Sequence, residues 1–314
     1  KPAGLSTALR LLGLARSVYA LAQTTNVRSI VTAFPHDYYP GTEWKSDMLW
    51  GAAEIALADE RLGVPCVQLR RDLAVAARWA RAYIAQGHQA GGDTLNLYDN
   101  GAVAEGELLR AMGCGTGSLP HCDPADTVIA PKSLLGDLAK QLRLGQQAAH
   151  GDAFGLGTAL GASDASPHAF GLYVTDALYQ EYGGAAAAPY ASFARQQLNY
   201  PLGANPWGAS FVVGAGTDFP HCMQSEIANL AGSLTGSGAI QLGATVDGPS
   251  NPSNFAGLGT VSGMRACGYG SYGGFGNSSA AYRDNVVSWP SVEPADDYSA
   301  ISLLAFSYGA AGLG

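Results

Sequence analysis

The sequence has no uninterrupted apolar run approaching the roughly 18 residues of a membrane-spanning helix, so no span is read from it. It has no visible basic face either: 17 Lys and Arg stand against 25 Asp and Glu, a formal net charge of −8. Nucleic-acid binding rests on phosphate neutralisation by basic side chains, and that class is excluded. Charge of both signs is scarce, at 13% of residues, yet 47% are hydrophobic, too many for a disordered chain. No signal-peptide pattern opens the numbering, as expected of numbering that begins inside a mature chain.

Cysteine is sparse, with five among 314 residues. Cys114 and Cys122 bracket a turn-rich segment and read as a loop staple formed in an oxidising compartment. The spacing of Cys114, His121 and Cys122 fits no common zinc motif. Cys222 and Cys267 lie in two long loops and offer a second staple, whereas Cys66, after Val64 and Pro65, reads as a buried free thiol.

What is abundant is helical spacing. Apolar residues recur with a period near 3.6 over residues 5–21, 44–58, 69–85, 102–112, 132–149, 168–182 and 190–198, with Gly, Pro or Asn clusters between them. Residues 99 and 100, an Asp and an Asn, mark a helix start. A Gly- and Pro-rich stretch follows from 201 to 290. Loops of that length inside a compact domain are usually functional. Within it, Gly268-Tyr-Gly270-Ser-Tyr-Gly273 has the letters of a dinucleotide loop but no strand before it or helix after it, so it reads as an aromatic-lined loop.

The stretch Trp289-Pro-Ser-Val-Glu293-Pro-Ala-Asp-Asp297-Tyr298-Ser-Ala300 carries the clearest chemistry. A carboxyl placed near other acids and aromatic rings is expected to hold its proton, as a general acid must. The competing reading is an acidic first turn on a last helix, where carboxylates suit the helix dipole.

This stretch resembles the catalytic-acid motif of glycoside hydrolase family 9, the cellulase-type family: N-E-P-A-x-D-Y-N-A. Val292 and Ser299 depart from it; Glu293, Pro294, Ala295, Asp297, Tyr298 and Ala300 fit. Three further stretches resemble family motifs. Residues 199–214 are similar to N-Y-x-L-G-x-N-P-x-G-x-S-Y-x-x-G. Residues 243–250 are similar to G-A-V-x-G-G-P, and residues 45–53 to K-D-E-L-x-W-A-A-A. All four occur in the family's order, from about residue 38 to the end.

The resemblance implies an all-α fold, an (α/α)6 barrel or toroid of helical hairpins, present here as an incomplete C-terminal part with long irregular loops. Hairpins would occupy 1–200, cleft loops 201–290, and the acid motif with the last helix 291–314. It implies an inverting hydrolase of β-1,4-glucan, a secreted cellulase or endoglucanase acting in cellulose degradation, with Glu293 as the general acid. Tyr298, Asp297, Gln224, His221 and Tyr200 would contact substrate. The D-A-G-D motif that supplies the family's base is absent from these 314 residues. The base is therefore expected on a missing N-terminal segment or a partner chain. Phe219-Pro-His221-Cys-Met-Gln224-Ser-Glu226 stands where many members have Y-P-Q-H-P-H-H-R, so Gln224, Ser225 and Glu226 replace the sugar-contacting H-H-R. The alternative implied by these two departures is a non-catalytic, family 9-like carbohydrate-binding or assembly subunit. No cofactor is required; many members bind structural calcium, for which no ligands stand out here.

Overall fold

The computed structural model describes residues 3–27, 41, 43–88, 94–114, 129–158, 164–230, 241–259, 264–270, 272 and 280–313. Ten α-helices occur among them: α1 (Ala3–Tyr19), α2 (Lys45–Leu62), α3 (Cys66–Gln86), α4 (Gly101–Ala111), α5 (Pro131–Ala149), α6 (Ala165–Gly183), α7 (Ala191–Asn199), α8 (Glu226–Leu230), α9 (Trp289–Val292) and α10 (Asp296–Ala310). The described residues form no extended strands, only isolated antiparallel bridges. Every helix expected from periodicity is present. The chain divides into two compact units. One is Lys1–His88, Tyr98–Lys140 and Glu181–Gly184, and the other is Gln89–Leu97, Gln141–Gln180 and Ala185–Gly314.

In the first unit α2 packs against α1, α3 and α4. Leu49, Ala53, Ala56, Leu69, Leu73, Ala77 and Leu108 meet there with no exposed surface. α2 stops at Gly63, which takes a left-handed φ of 61° and donates its N–H back to Asp59 and Glu60, and Pro65 follows two residues later. Arg16 of α1 reaches both Asp59 and Asp72, tying α1 to the layer below. Burial pushes Asp59 up to about 7, with neighbouring Asp72 adding to it. A polar core lies behind α4. Tyr83 donates to Asp99, His88 Nε2 lies 2.7 Å from Asp137 Oδ2, and Glu105 is fully buried nearby. The start of α4 carries no cap from Asn100. Asp99 Oδ1 accepts the Gly101 N–H instead, at 2.7 Å.

The second unit is built on α6, buried continuously from Ala165 to Leu178. A helix apolar nearly all round belongs in an interior. Gly171 lets the backbone at Leu95 pass close by, since a Cβ there would sit 1.8 Å from the Leu95 carbonyl oxygen. A core of Tyr200, Trp207, Phe211, Val213, Met223, Val246, Tyr282 and Val292 forms under the long loops. Those loops are held by side chains rather than sheet ladders. Asn205 donates to the Tyr200 and Ala209 carbonyls at 2.7 and 2.8 Å and accepts the Trp207 N–H, closing the loop after α7.

The cysteines correct two expectations. Cys222 and Cys267 are bridged. Cys114 is a free thiol, half-buried just beyond the end of α4, so the Cys114–Cys122 staple does not form; Cys122 itself lies outside the described residues. Cys66, expected free, is disulfide-bonded. Closeness in sequence was the only argument for the first pairing. A bridge needs Cα atoms within about 7 Å and converging Cβ atoms, which spacing does not supply.

Candidate functional site

Three segments of the second unit converge around Glu293. Residues 245–248 lie beside residues 291–294, joined by a Val246–Pro294 bridge and by the Gly248 N–H to the Ser291 carbonyl at 3.2 Å. Asp247 and Glu293 are paired by their backbones: the Asp247 N–H donates to the Glu293 carbonyl at 3.3 Å. The start of α6 joins through the Ser166 N–H, which donates to the Asp247 carbonyl at 2.8 Å. Gly248 makes this packing feasible. Its φ is +86°, and a Cβ there would lie 2.3 Å from Ser166 Oγ.

Glu293 sits between α9 and α10 with extended φ and ψ of −75° and 120°. It is half-buried and precedes the first turn of α10, which starts at Asp296 behind Ala295. The acidic first turn is formed by Asp296 and Asp297 instead. Burial raises Asp297, helped by the negative field of Asp164 and Asp296.

The carboxyl of Asp247 is the centre of the arrangement. It is 1% exposed, its Oδ2 accepts the Glu293 N–H at 3.0 Å, and its Oδ1 accepts the Tyr298 hydroxyl at 3.2 Å. Burial holds it well above the usual carboxylate range, and the charge of Glu293 pushes it the same way. Asp164, at 2% exposure, adds a further negative field, with His168 Nδ1 3.1 Å from its Oδ2.

The expected site residues divide. Gln224 is brought next to the acid motif, its N–H donating to the Val292 carbonyl at 3.0 Å. Asp297 is half-buried on the first turn of α10. Tyr200 and Tyr298 are 1% and 2% exposed. Neither has a free face for a sugar, and their expected substrate contact is corrected to packing, against Phe211, and to hydrogen bonding, with Asp247. His221 is stacked between Phe219 and the exposed Tyr269, at ring-centroid distances of 4.5 and 3.8 Å. The Cys222–Cys267 bridge and the Asp284 carboxylate, which accepts the His221 and Cys222 N–H groups, hold that stack.

Sequence reasoning missed Asp247 as a site residue, although the stretch containing it had been singled out. The available signal was an acid among small and apolar residues, where the similar motif has Gly. A cavity of about 720 Å³ lies elsewhere in the unit, lined by Phe154, Ser192, Arg195, Gln196 and Asn199, and includes none of the expected residues. Among the described residues no group of three or more His, Cys, Asp or Glu side chains is arranged to hold a metal ion.

Asp164, Asp247, Glu293 and Tyr298 all lie inside one match to a family model. Residues 160–306 match the model of glycosyl hydrolase family 9. Among solved structures, similar folds include a thermostable endoglucanase variant from Alicyclobacillus acidocaldarius. Its TM-score is 0.60 at 16% identity, covering 93% of this chain and 49% of that one. The catalytic domain of Clostridium thermocellum CelT gives 0.58 at 17% identity, covering 94% and 53%. An endoglucanase from the termite Nasutitermes takasagoensis gives 0.54 at 16% identity, covering 86% and 53%. At such identities the likeness shows the fold, which is all-α and of the (α/α)6-barrel class, in part. The chain spans about half the length of these proteins. No curated protein matches it in sequence.

Proposed function

We propose that this chain is the C-terminal part of an inverting family 9 glycoside hydrolase acting on β-1,4-glucan, with Glu293 as the general acid. The observation that carries the reading is the position of Glu293: half-buried, outside the α10 turn, and held at both its N–H and its carbonyl by Asp247. A carboxylic acid in such surroundings is placed to protonate a leaving glycosidic oxygen. The base is assigned to a segment outside these 314 residues because they contain no D-A-G-D; inversion needs a second carboxylate roughly 6.5–9.5 Å from the acid with a water between. The endoglucanases of similar fold support β-glucan as the substrate class. The Cys222–Cys267 bridge supports a secreted protein.

A second reading, a non-catalytic carbohydrate-binding or assembly subunit, is favoured by the absence of D-A-G-D and by Gln224-Ser225-Glu226 in place of H-H-R. Proton NMR of cello-oligosaccharide hydrolysis by the complete polypeptide separates the two. The proposal expects the α-anomer to appear first; initial release of the β-anomer, or no hydrolysis at all, contradicts it.

A further inference from the structure

The start of α10 has no side-chain cap: its N-cap is Ala295, which offers no acceptor. The linker Glu293–Ala295 nevertheless has to hold one course if Glu293 is to present its proton in a fixed direction. The contacts that set this course come from another segment. Asp247 accepts from the Glu293 N–H at one oxygen and from the Tyr298 hydroxyl, five residues later, at the other. Its own N–H returns a bond to the Glu293 carbonyl. Asp247 is in turn anchored through its carbonyl by Ser166 at the start of α6. On the other side, Gln224 bonds Val292 and Ser291 is joined to Arg283, so the peptide before Glu293 is also fixed.

We propose that Asp247 is the positioning residue of this site: its buried carboxyl clamps the Glu293 backbone to the Tyr298 phenol and thereby fixes the direction in which the Glu293 carboxyl meets the glycosidic oxygen. This rests on the reading of Glu293 as the acid. Catalytic groups act only when held within about 0.5 Å of the productive geometry, and that precision comes from surrounding hydrogen bonds. A misplacement near 1 Å costs roughly a hundredfold in rate. A clamp of this kind acts on proton delivery and not on sugar binding, and it contributes little when the leaving group needs no proton.

The experiment uses the complete, active polypeptide and two substrates, an unactivated cello-oligosaccharide and 2,4-dinitrophenyl β-cellobioside, whose leaving group departs unprotonated. Asp247→Asn retains one acceptor and places an amide against the other donor. It is expected to lower kcat on the oligosaccharide by roughly a hundredfold with KM nearly unchanged. On the dinitrophenyl substrate kcat should fall by less than about tenfold. Tyr298→Phe, which removes one arm of the clamp and keeps the ring, is expected to show the same selectivity at smaller size. It decides the matter if Asp247→Asn does not fold. Equal losses on both substrates in a folded variant, or no loss on either, overturn the proposal. Glu293→Gln is measured alongside. If it also lacks leaving-group selectivity, the assignment of the acid has failed first. If it shows selectivity while Asp247→Asn and Tyr298→Phe do not, only the clamp has failed.

Discussion

The Tyr83 hydroxyl reaches both oxygens of Asp99, at 3.0 and 3.1 Å, inside the first unit. Asp99 is 4% exposed, and burial pushes it up to about 7 despite the hydrogen bonds from Gly101 and Tyr83. An acid raised in this way binds its proton more tightly folded than unfolded. Its contribution is full below about pH 4, its unfolded value, and is lost as pH rises through about 7. The loss is on the order of 4 kcal/mol between those two pH values. Urea midpoints should therefore fall from pH 5 to pH 8, and Asp99→Asn should flatten that slope. An unchanged slope in the variant argues against a proton on Asp99. Asp59 and Glu105, raised by burial as well, act in the same direction, so some slope remains.

Alkylation followed by peptide mapping gives a second check. Without reductant, Cys222 and Cys267 should appear cross-linked, Cys66 should resist alkylation, and Cys114 alone among these four should react once the protein is unfolded. In the folded protein Cys114 should react slowly, since burial raises its thiol. A Cys114 cross-link would contradict the structure.

Leu11, Leu14, Val18 and Leu21 lie three and four residues apart and are 53%, 50%, 67% and 82% exposed. The spacing makes one apolar stripe along and just beyond α1. Covering roughly 200–400 Å² of it contributes on the order of 5–10 kcal/mol, comparable to a domain's net stability. Residues 1–314 expressed alone are therefore expected to bind apolar dyes, self-associate and lack cellulase activity. Leu14→Glu with Val18→Glu should reduce the association. A monomeric, cooperatively folded chain active on β-1,4-glucan would contradict both this expectation and the assignment of the base elsewhere.

Gly248→Ala should disturb the site more than its size suggests. The residue has a positive φ and a Cβ would meet Ser166 Oγ at 2.3 Å. Strain of this kind costs about 1–3 kcal/mol, and relief by backbone movement would shift Asp247 beside it. A melting temperature and kcat matching the parent would show that the turn at 247–248 is not held tightly.

The helices were legible because each long one has a 3.6-residue apolar period. α6 was read by the same period over residues 168–182, although burial extends along it from Ala165 to Leu178. α9 was not, because Trp289–Val292 is too short to show any period. The role of Asp247 was hidden because it depends on Glu293 and Tyr298, 46 and 51 residues away in sequence. Glu105 looks like a surface charge on α4, and only packing shows it buried. Tyr200 and Tyr298 were misread because an aromatic near an active-site motif serves equally well as core, and sequence carries no sign of which face it turns to solvent.

If Glu293 delivers a proton to the leaving group, Glu293→Gln in the complete polypeptide removes that delivery and leaves the other contacts of the residue in place. Its kcat on an unactivated cello-oligosaccharide should fall by about 10²–10⁴-fold, while kcat on 2,4-dinitrophenyl β-cellobioside should fall by less than about tenfold, with the fold intact by circular dichroism. Equal loss on the two substrates, or hydrolysis of the oligosaccharide at the parent rate, would contradict it.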